Sequence, residues 1–181
     1  MSTLPPAGVY NVDTVHSTIG FVARHLVAAK VRGHFADFTG VITIGDSIEN
    51  SSVEAVAQAG SISTNKEMRD GHIKSGDFLE EATYPTLTLK STSIAAKGGD
   101  KYAMTADVTI KGVTKSVVFV LEFLGTGPSM TPGASVVGFE ASAEIDRREF
   151  NINFEGALEN GSLVVGNKIV LEIAVEAHQQ I

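Results

Sequence analysis

Hydrophobic side chains in this chain recur at every second residue, and that period restricts the fold more than any other feature. In the segment 117–123, VVFVLEF, Val117, Phe119, Leu121 and Phe123 share one face while Glu122 lies on the other. The segment 169–176, IVLEIAVE, sets Leu171, Ile173 and Val175 against Glu172, Ala174 and Glu176. Successive side chains of a strand point to opposite faces, so this alternation describes β-structure with one covered face. Similar runs occupy 17–24, 40–44, 53–62, 86–94, 103–110 and 136–145. Together they predict about eight short strands, the pattern of an all-β sandwich or barrel.

The breaks between these runs favour antiparallel order. Lys97-Gly98-Gly99-Asp100 and Lys111-Gly112 each separate two strand patterns, and their glycines suit the positive φ of tight hairpins. The strands from 86 to 123 should therefore form a meander. The stretch 125–135, GTGPSMTPGAS, reads as a longer loop. One helical window stands out at 65–76, with Thr64 or Asn65 as cap, Glu67 as the acid of a capping box and Gly76 as the stop. Gly71 should keep it short. A second short helix near 21–27 fits as well as a strand that breaks there. A length of 181 residues suits one core, and we expect a single domain over 1–181.

Composition excludes several functions. Hydrophobic residues make up 43% and charged residues 19%, with a mean hydropathy of +0.13, which is globular and somewhat apolar. A formal charge of -7 argues against nucleic acid and anionic membrane surfaces, both of which need a basic face. With no cysteine, disulfides, thiolate metal sites and cysteine nucleophiles are absent. The start, MSTLPPAGVYNVD, has no signal-peptide pattern, and no window reaches the roughly 20 apolar residues of a spanning helix. We expect a cytoplasmic protein without an integral membrane segment. The N-x-S triplets at Asn50 and Asn160 are read as chance.

No catalytic pattern emerges. His16, His25, His34, His72 and His178 show neither H-x-H nor H-E-x-x-H spacing, so no local motif marks a metal site. The nine-residue steps of the first three would let them meet only across strands. Gly133-Ala134-Ser135-Val136-Val137 does not complete a nucleophile elbow, nor does Gly161-Ser162. Gly71 to Gly76 lacks the ending of a phosphate loop. The carboxylates Glu80-Glu81 and Asp146/Glu149 read as solvated loop charges.

Two strands carry rows of small residues: Val53, Ala55, Ala57 and Ala59 on one, Phe139, Ala141, Ala143 and Ile145 on the other. Pointing into a barrel, such rows leave either space for a ligand or room for bulky partners such as Phe119 and Phe123. The pattern alone does not choose between these.

Longer motifs do. Tyr10-Asn11-Val12-Asp13-Thr14-Val15-His16-Ser17-Thr18-Ile19-Gly20-Phe21, followed by Arg24-His25-Leu26 and Gly33-His34-Phe35-Ala36-Asp37-Phe38-Thr39-Gly40, resembles the N-terminal signature of the YceI-like family. Ser61-Ile62-Ser63-Thr64, Arg69-Asp70-Gly71-His72-Ile73, Asp77-Phe78-Leu79 and Tyr84-Pro85 resemble its middle block. Thr109-Ile110-Lys111-Gly112-Val113-Thr114-Lys115, Gly138-Phe139 and Arg147-Arg148-Glu149-Phe150 resemble its last two. The resemblance runs in order from about Val9 to Ala177. One departure is Asn151, where the family commonly has glycine, and asparagine best replaces glycine at positive φ.

The resemblance implies an extended antiparallel, lipocalin-like barrel of about eight strands with one or two short helices. It also implies an apolar tunnel for a polyisoprenoid, an isoprenoid quinone or another long-chain amphiphile, with no cofactor. Alternation assigns Ile19, Phe21, Phe38, Ala55, Ala57, Phe119, Leu121, Phe139, Ala141, Leu171 and Ile173 to the lumen, where each also suits a plain core. On the helix, Met68, Ile73 and Phe78 are expected to cover the barrel end. Arg69, His72 and Lys74 are candidates for an anionic head group. For Arg69 with Asp70 the favoured reading is structural, through an ion pair with Asp70, Asp77 or another carboxylate; His72 and Lys74 stay open. The leading expectation is a non-catalytic protein that sequesters or transports a hydrophobic lipid. A metal-dependent enzyme with histidines gathered across strands is the alternative, and a structural or stress-response partner, homodimeric through a barrel edge or face, is a third.

Overall fold

The computed structural model describes residues 4–156, 159 and 164–181. The triplet at Asn160 and the pair Gly161-Ser162 lie outside them. Among the described residues, eleven strands form one sheet: β1 (Gly8–Val12), β2 (Thr18–His25), β3 (Ala29–Phe35), β4 (Phe38–Ile44), β5 (Ser52–Gln58), β6 (Ile62–Ser63), β7 (Thr86–Gly98), β8 (Lys101–Ile110), β9 (Val113–Pro128), β10 (Ser135–Asp146) and β11 (Val165–Gln179). The helix α1 (Glu67–Lys74) interrupts them.

The register resolves these strands into eight staves. β1 and β2 lie end to end along β11, with Val12 opposite Ala177 and Thr18 opposite Ala174. β3 runs on into β4, pairing with β2 and then with β1. β5 and β6 form the third stave, pairing with β4 and β3. Across the breaks the ladder is held by Ala36 N–H donating to Ser61 O at 3.1 Å and Gln58 N–H to Asp37 O at 2.9 Å. β7 to β11 complete the meander, and β11 closes on the first stave. The result is a closed antiparallel barrel of eight staves: the alternation predicts the strands, and the family resemblance implies their closure.

Turn chemistry follows the residues that permit it. Lys111 (φ 50°) and Gly112 (φ 74°) form the two-residue connection between β8 and β9. Asn151 takes φ 56° after a 3-10 turn (Arg147–Phe150), as its substitution for glycine requires. The anticipated loop 125–135 is shorter than the sequence suggests, because β9 continues to Pro128. Its ladder with β10 tolerates Gly125 at φ 142° through a register shift at Gly138/Phe139. The open question at 21–27 is answered by a strand, which turns at Leu26 with φ 56°.

The helix matches its predicted place but not its predicted cap. Lys66 occupies the N-cap with no side-chain hydrogen bond, and the helix stops at Lys74, before Gly76. Thr64 is buried two residues earlier. Its N–H and hydroxyl both donate to Asp70 Oδ1, at 2.8 and 2.6 Å, so the carboxylate comes from inside the helix rather than from a capping box.

Inward faces meet in one core. At the end that carries α1, the barrel is filled by Ile62, Leu79, Ala106, Val108, Ile110, Val117, Phe119, Ala143, Ile145, Phe150 and Ile152, all buried. Below the pair Val120–Ser142, β9 and β10 have no further ladder partners in common. The 3-10 turn packs against β9 there, with Phe150 fully buried.

Candidate functional site

The other half of the lumen is hollow. A cavity of about 90 Å³ lies among Val12, Ile19, Phe38, Ile42, Ile44, Ile48, Val53, Ala55, Leu89, Ile94, Tyr102, Met104, Leu121, Phe139, Ala141, Ile173 and Val175. Thr39, Ser51, Ser52 and Glu54 also border it. Thr39, Ser52 and Glu54 lie on the outer faces of β4 and β5, while alternation on β4, β5, β10 and β11 aims the apolar members inward. Their small members create the space: Ala55 pairs with Gly40, and Ala141 pairs with both Leu121 and Ile173. A Cβ at Gly40 would stand 2.8 Å from Val12 Cγ2, so this glycine lets the first stave press close to the lumen.

Near the mouth the wall is irregular. The ladder between β5 and β7 ends at Glu54–Lys90, after which Val53 N–H donates to the Ser91 hydroxyl at 2.8 Å beside a register shift in β7. The 45–51 connection fills this place, and its 3-10 turn (Ile48–Asn50) packs on β7 with Ile48 facing the cavity. Ser51 fixes the connection by accepting from Gly45 N–H and donating to Ser47 O, each at 3.1 Å.

Of the eleven residues assigned to the lumen, Ile19, Phe38, Ala55, Leu121, Phe139, Ala141 and Ile173 line this cavity. Ala57 and Phe119 are buried in the core, and Phe21 and Leu171 pack against it. The Phe21 ring lies over Gly33, where it leaves no room for a Cβ. Ile42 and Ile44 belong to an alternating run legible in the sequence, whereas Ile48 sits in a connection where no period operates.

The helix lies at the filled end, and none of Met68, Arg69, His72, Lys74 and Phe78 lines the cavity. Met68 does not cover the barrel, being 92% exposed, because an eight-residue helix turns that position outward while Ile73 packs on the core. Arg69 makes no ion pair with Asp70 or Asp77. Its guanidinium instead donates to the Thr64 hydroxyl at 2.7 Å and the Thr64 carbonyl at 3.0 Å. His72 Nε2 lies 2.8 Å from Asp77 Oδ2, and its ring meets Phe78 and Phe154 edge-on. Phe78 packs on the core. Lys74 is half-buried. Lys111 Nζ fastens this end by donating to the carbonyls of Gly76 and Asn151, at 2.9 and 3.2 Å.

A second space of about 600 Å³ is bordered by outward-facing residues, among them Arg32, His34, Asn65, Glu122, Glu140 and Glu172, together with Phe21, Ala141 and Ile173 of the lumen assignment. It is larger, but its border is charged, and Arg32 pairs with Glu172 at 3.0 Å. An apolar chain gains more from the enclosed lumen than from a wet, charged surface.

His16, His25 and His34 do not gather as their spacing allowed. His16 meets Asp13, with Nδ1 2.8 Å from Oδ2. This contact holds the Asp13 carboxyl down at about 2 and raises the imidazole. No helix among the described residues is long and apolar enough to cross a membrane.

Comparison with known proteins agrees with this architecture. The YceI-like domain profile matches residues 10–177. A UPF0312 protein of Staphylococcus aureus (strain USA300) is 33% identical over 169 residues, covering 92% of this chain and 95% of the relative. The crystal structure of a Campylobacter jejuni YceI protein superposes with a TM-score of 0.76 at 27% identity, over 87% of this chain and 90% of that one. A polyisoprenoid-binding domain from Saccharophagus degradans shares the fold, with a TM-score of 0.69 at 16% identity, over 94% and 98%.

Proposed function

This chain belongs to the YceI-like family, and from that premise we propose that it binds a long-chain isoprenoid-type amphiphile in its barrel lumen, holding or carrying it without chemical change. The apolar cavity between Ala55, Ala141 and Ile173 is the observation that carries this reading. The Saccharophagus domain, described as polyisoprenoid-binding, supports it through a shared fold. Each buried methylene contributes about 0.8 kcal/mol, so a prenyl tail is held with little polar recognition. The tail then distinguishes ligands weakly, and an isoprenoid quinone and a polyprenyl chain compete.

The size of the cavity sets a condition. At about 90 Å³ it is well below the roughly 300–1,000 Å³ of ligand-holding pockets, so a long-chain amphiphile fits only if the walls move apart. Binding therefore parts the walls, and the irregular ladder beside Ser91 with the 45–51 connection is where they part most cheaply. A polar head then rests at this mouth of the lumen, rather than at His72 and Lys74 on the filled end.

Organic extraction of the purified protein, followed by mass spectrometry, should yield close to one isoprenoid lipid per chain. Protein that yields none, and that takes up neither a polyprenol nor a quinone added during refolding, would overturn the proposal.

A further inference from the structure

A separate constellation stands on the outer wall, at the seam where the first stave meets the last. Between β1 and β2 the residues 13–17 leave the ladder and lie over β11. Asp13 N–H still donates to Glu176 O at 2.8 Å, and the Ser17 hydroxyl donates to that carbonyl at 3.1 Å while accepting from Glu176 N–H at 3.0 Å. Asp13 Oδ1 accepts from the N–H groups of Val15 and His16, at 2.8 and 3.3 Å, which fixes the carboxylate with Oδ2 toward His16 Nδ1.

Glu176 and His178 are two residues apart on β11, so both side chains emerge on its outer face. His178 Nε2 lies 3.3 Å from Asp13 Oδ2 and 3.3 Å from Glu176 Oε1. This nitrogen is shut off from solvent yet makes no directed hydrogen bond: it has ion-pair proximity to two anions without the angles of a bond to either. The ligating atoms of Asp13, His16 and Glu176 all fall within 4.8 Å of one another.

We propose that Asp13, His16, Glu176 and His178 form a site for one divalent transition-metal ion, with Zn²⁺ as its representative. Two imidazole nitrogens and two carboxylate oxygens are donors that zinc accepts, whereas Mg²⁺ and Ca²⁺ take oxygen. Zinc bonds of about 2.1 Å in tetrahedral array set ligand atoms about 3.4 Å apart. The separations of 2.8, 3.3 and 3.3 Å lie within a few tenths of an ångström of that value, while His178 stands outside the group of atoms within 4.8 Å of one another, so the His16 and His178 rings must close further to share one ion. Two carboxylates balance the charge of the ion. Four protein ligands leave no open coordination position, so the metal clamps the 13–17 segment onto β11 and performs no hydrolysis. The site lies outside the lumen and is independent of the lipid.

Titration calorimetry of EDTA-stripped protein with ZnCl₂ tests this, with circular dichroism to verify folding. The expected result is one equivalent bound, a thermal midpoint that rises with zinc, and binding weakened roughly tenfold or more in each of His178→Gln and His16→Asn. His25→Gln, outside the constellation, should bind as the parent does. Absence of stoichiometric uptake, or uptake that both ligand variants leave unchanged, would overturn the site. Two variants at different ligands keep the test decisive if one fails to fold.

Discussion

At the scale of single residues, the side chain that the sequence hides best is Arg147. It is 3% exposed, and its guanidinium donates to four carbonyls, those of Gly166 (3.0 Å), Ile152 (2.7 Å), Phe154 (2.8 Å) and Val165 (3.3 Å). Burial lowers its pKa, but a guanidinium stays charged. The neighbouring Arg148 differs in kind: it is exposed and pairs with Asp146, whose carboxyl it holds far below the usual range. Nothing in the dipeptide Arg-Arg announces this division, which arises because the 3-10 turn sends one side chain inward and the next outward. Arg147→Met removes the donors while leaving the carbonyls enclosed, and should destabilise the protein by at least about 3 kcal/mol in chemical denaturation. A loss under about 1 kcal/mol would show that water replaces the guanidinium.

At the scale of elements, long continuous strands were legible and divided ones were not. The central parts of β7 to β11 follow from alternation because one face is covered there, while the exposed end of β7 and the glycine-rich end of β9 do not. β1 and β3 escaped it: the first is five residues long, and the second, AKVRGHF, places Lys30, Arg32 and His34 on its outer face so that its short apolar set barely shows. Their existence is decided by pairing with β11 and β2, which is tertiary information. The helix was legible through its neighbours, but its anchoring was not, since Thr64 is held by Asp70 from within the helix and by Arg69 beside it. Asp70→Ala strands the Thr64 N–H and hydroxyl in a buried place. It should cost about 1–2 kcal/mol and speed hydrogen exchange through 64–85, with β7 to β11 unaffected.

At the scale of the whole molecule, the informative division is between a filled half and a hollow half of one lumen. Alternation says which residues face inward, and so it identified seven of the lining positions. It is silent on where inward residues are too small to meet, because that depends on which staves face each other across the barrel. The opposition of Ala55, Gly40 and Ala141 to Ile19 and Met104 makes the hollow, and the convergence of Phe119, Phe150 and Ile145 removes it below. Ala141→Phe should occupy the hollow at an overpacking cost of about 1–3 kcal/mol and abolish recovery of extracted lipid, while circular dichroism remains that of the parent. Lipid recovered in unchanged amount would place the ligand outside the lumen.

The closing seam also dictates the order of events during synthesis. The first stave finds its second neighbour only in β11, and Ser17 bonds to Glu176 across 159 residues. A nascent chain that has emerged only as far as β10 can build a curved sheet but not a ring, and both of its margins stay open to other chains. Topologies dominated by such distant pairings fold slowly, in milliseconds to seconds. The last strand is thus the latch of the fold, and an unlatched ribosome-bound intermediate is the form most in need of chaperone protection.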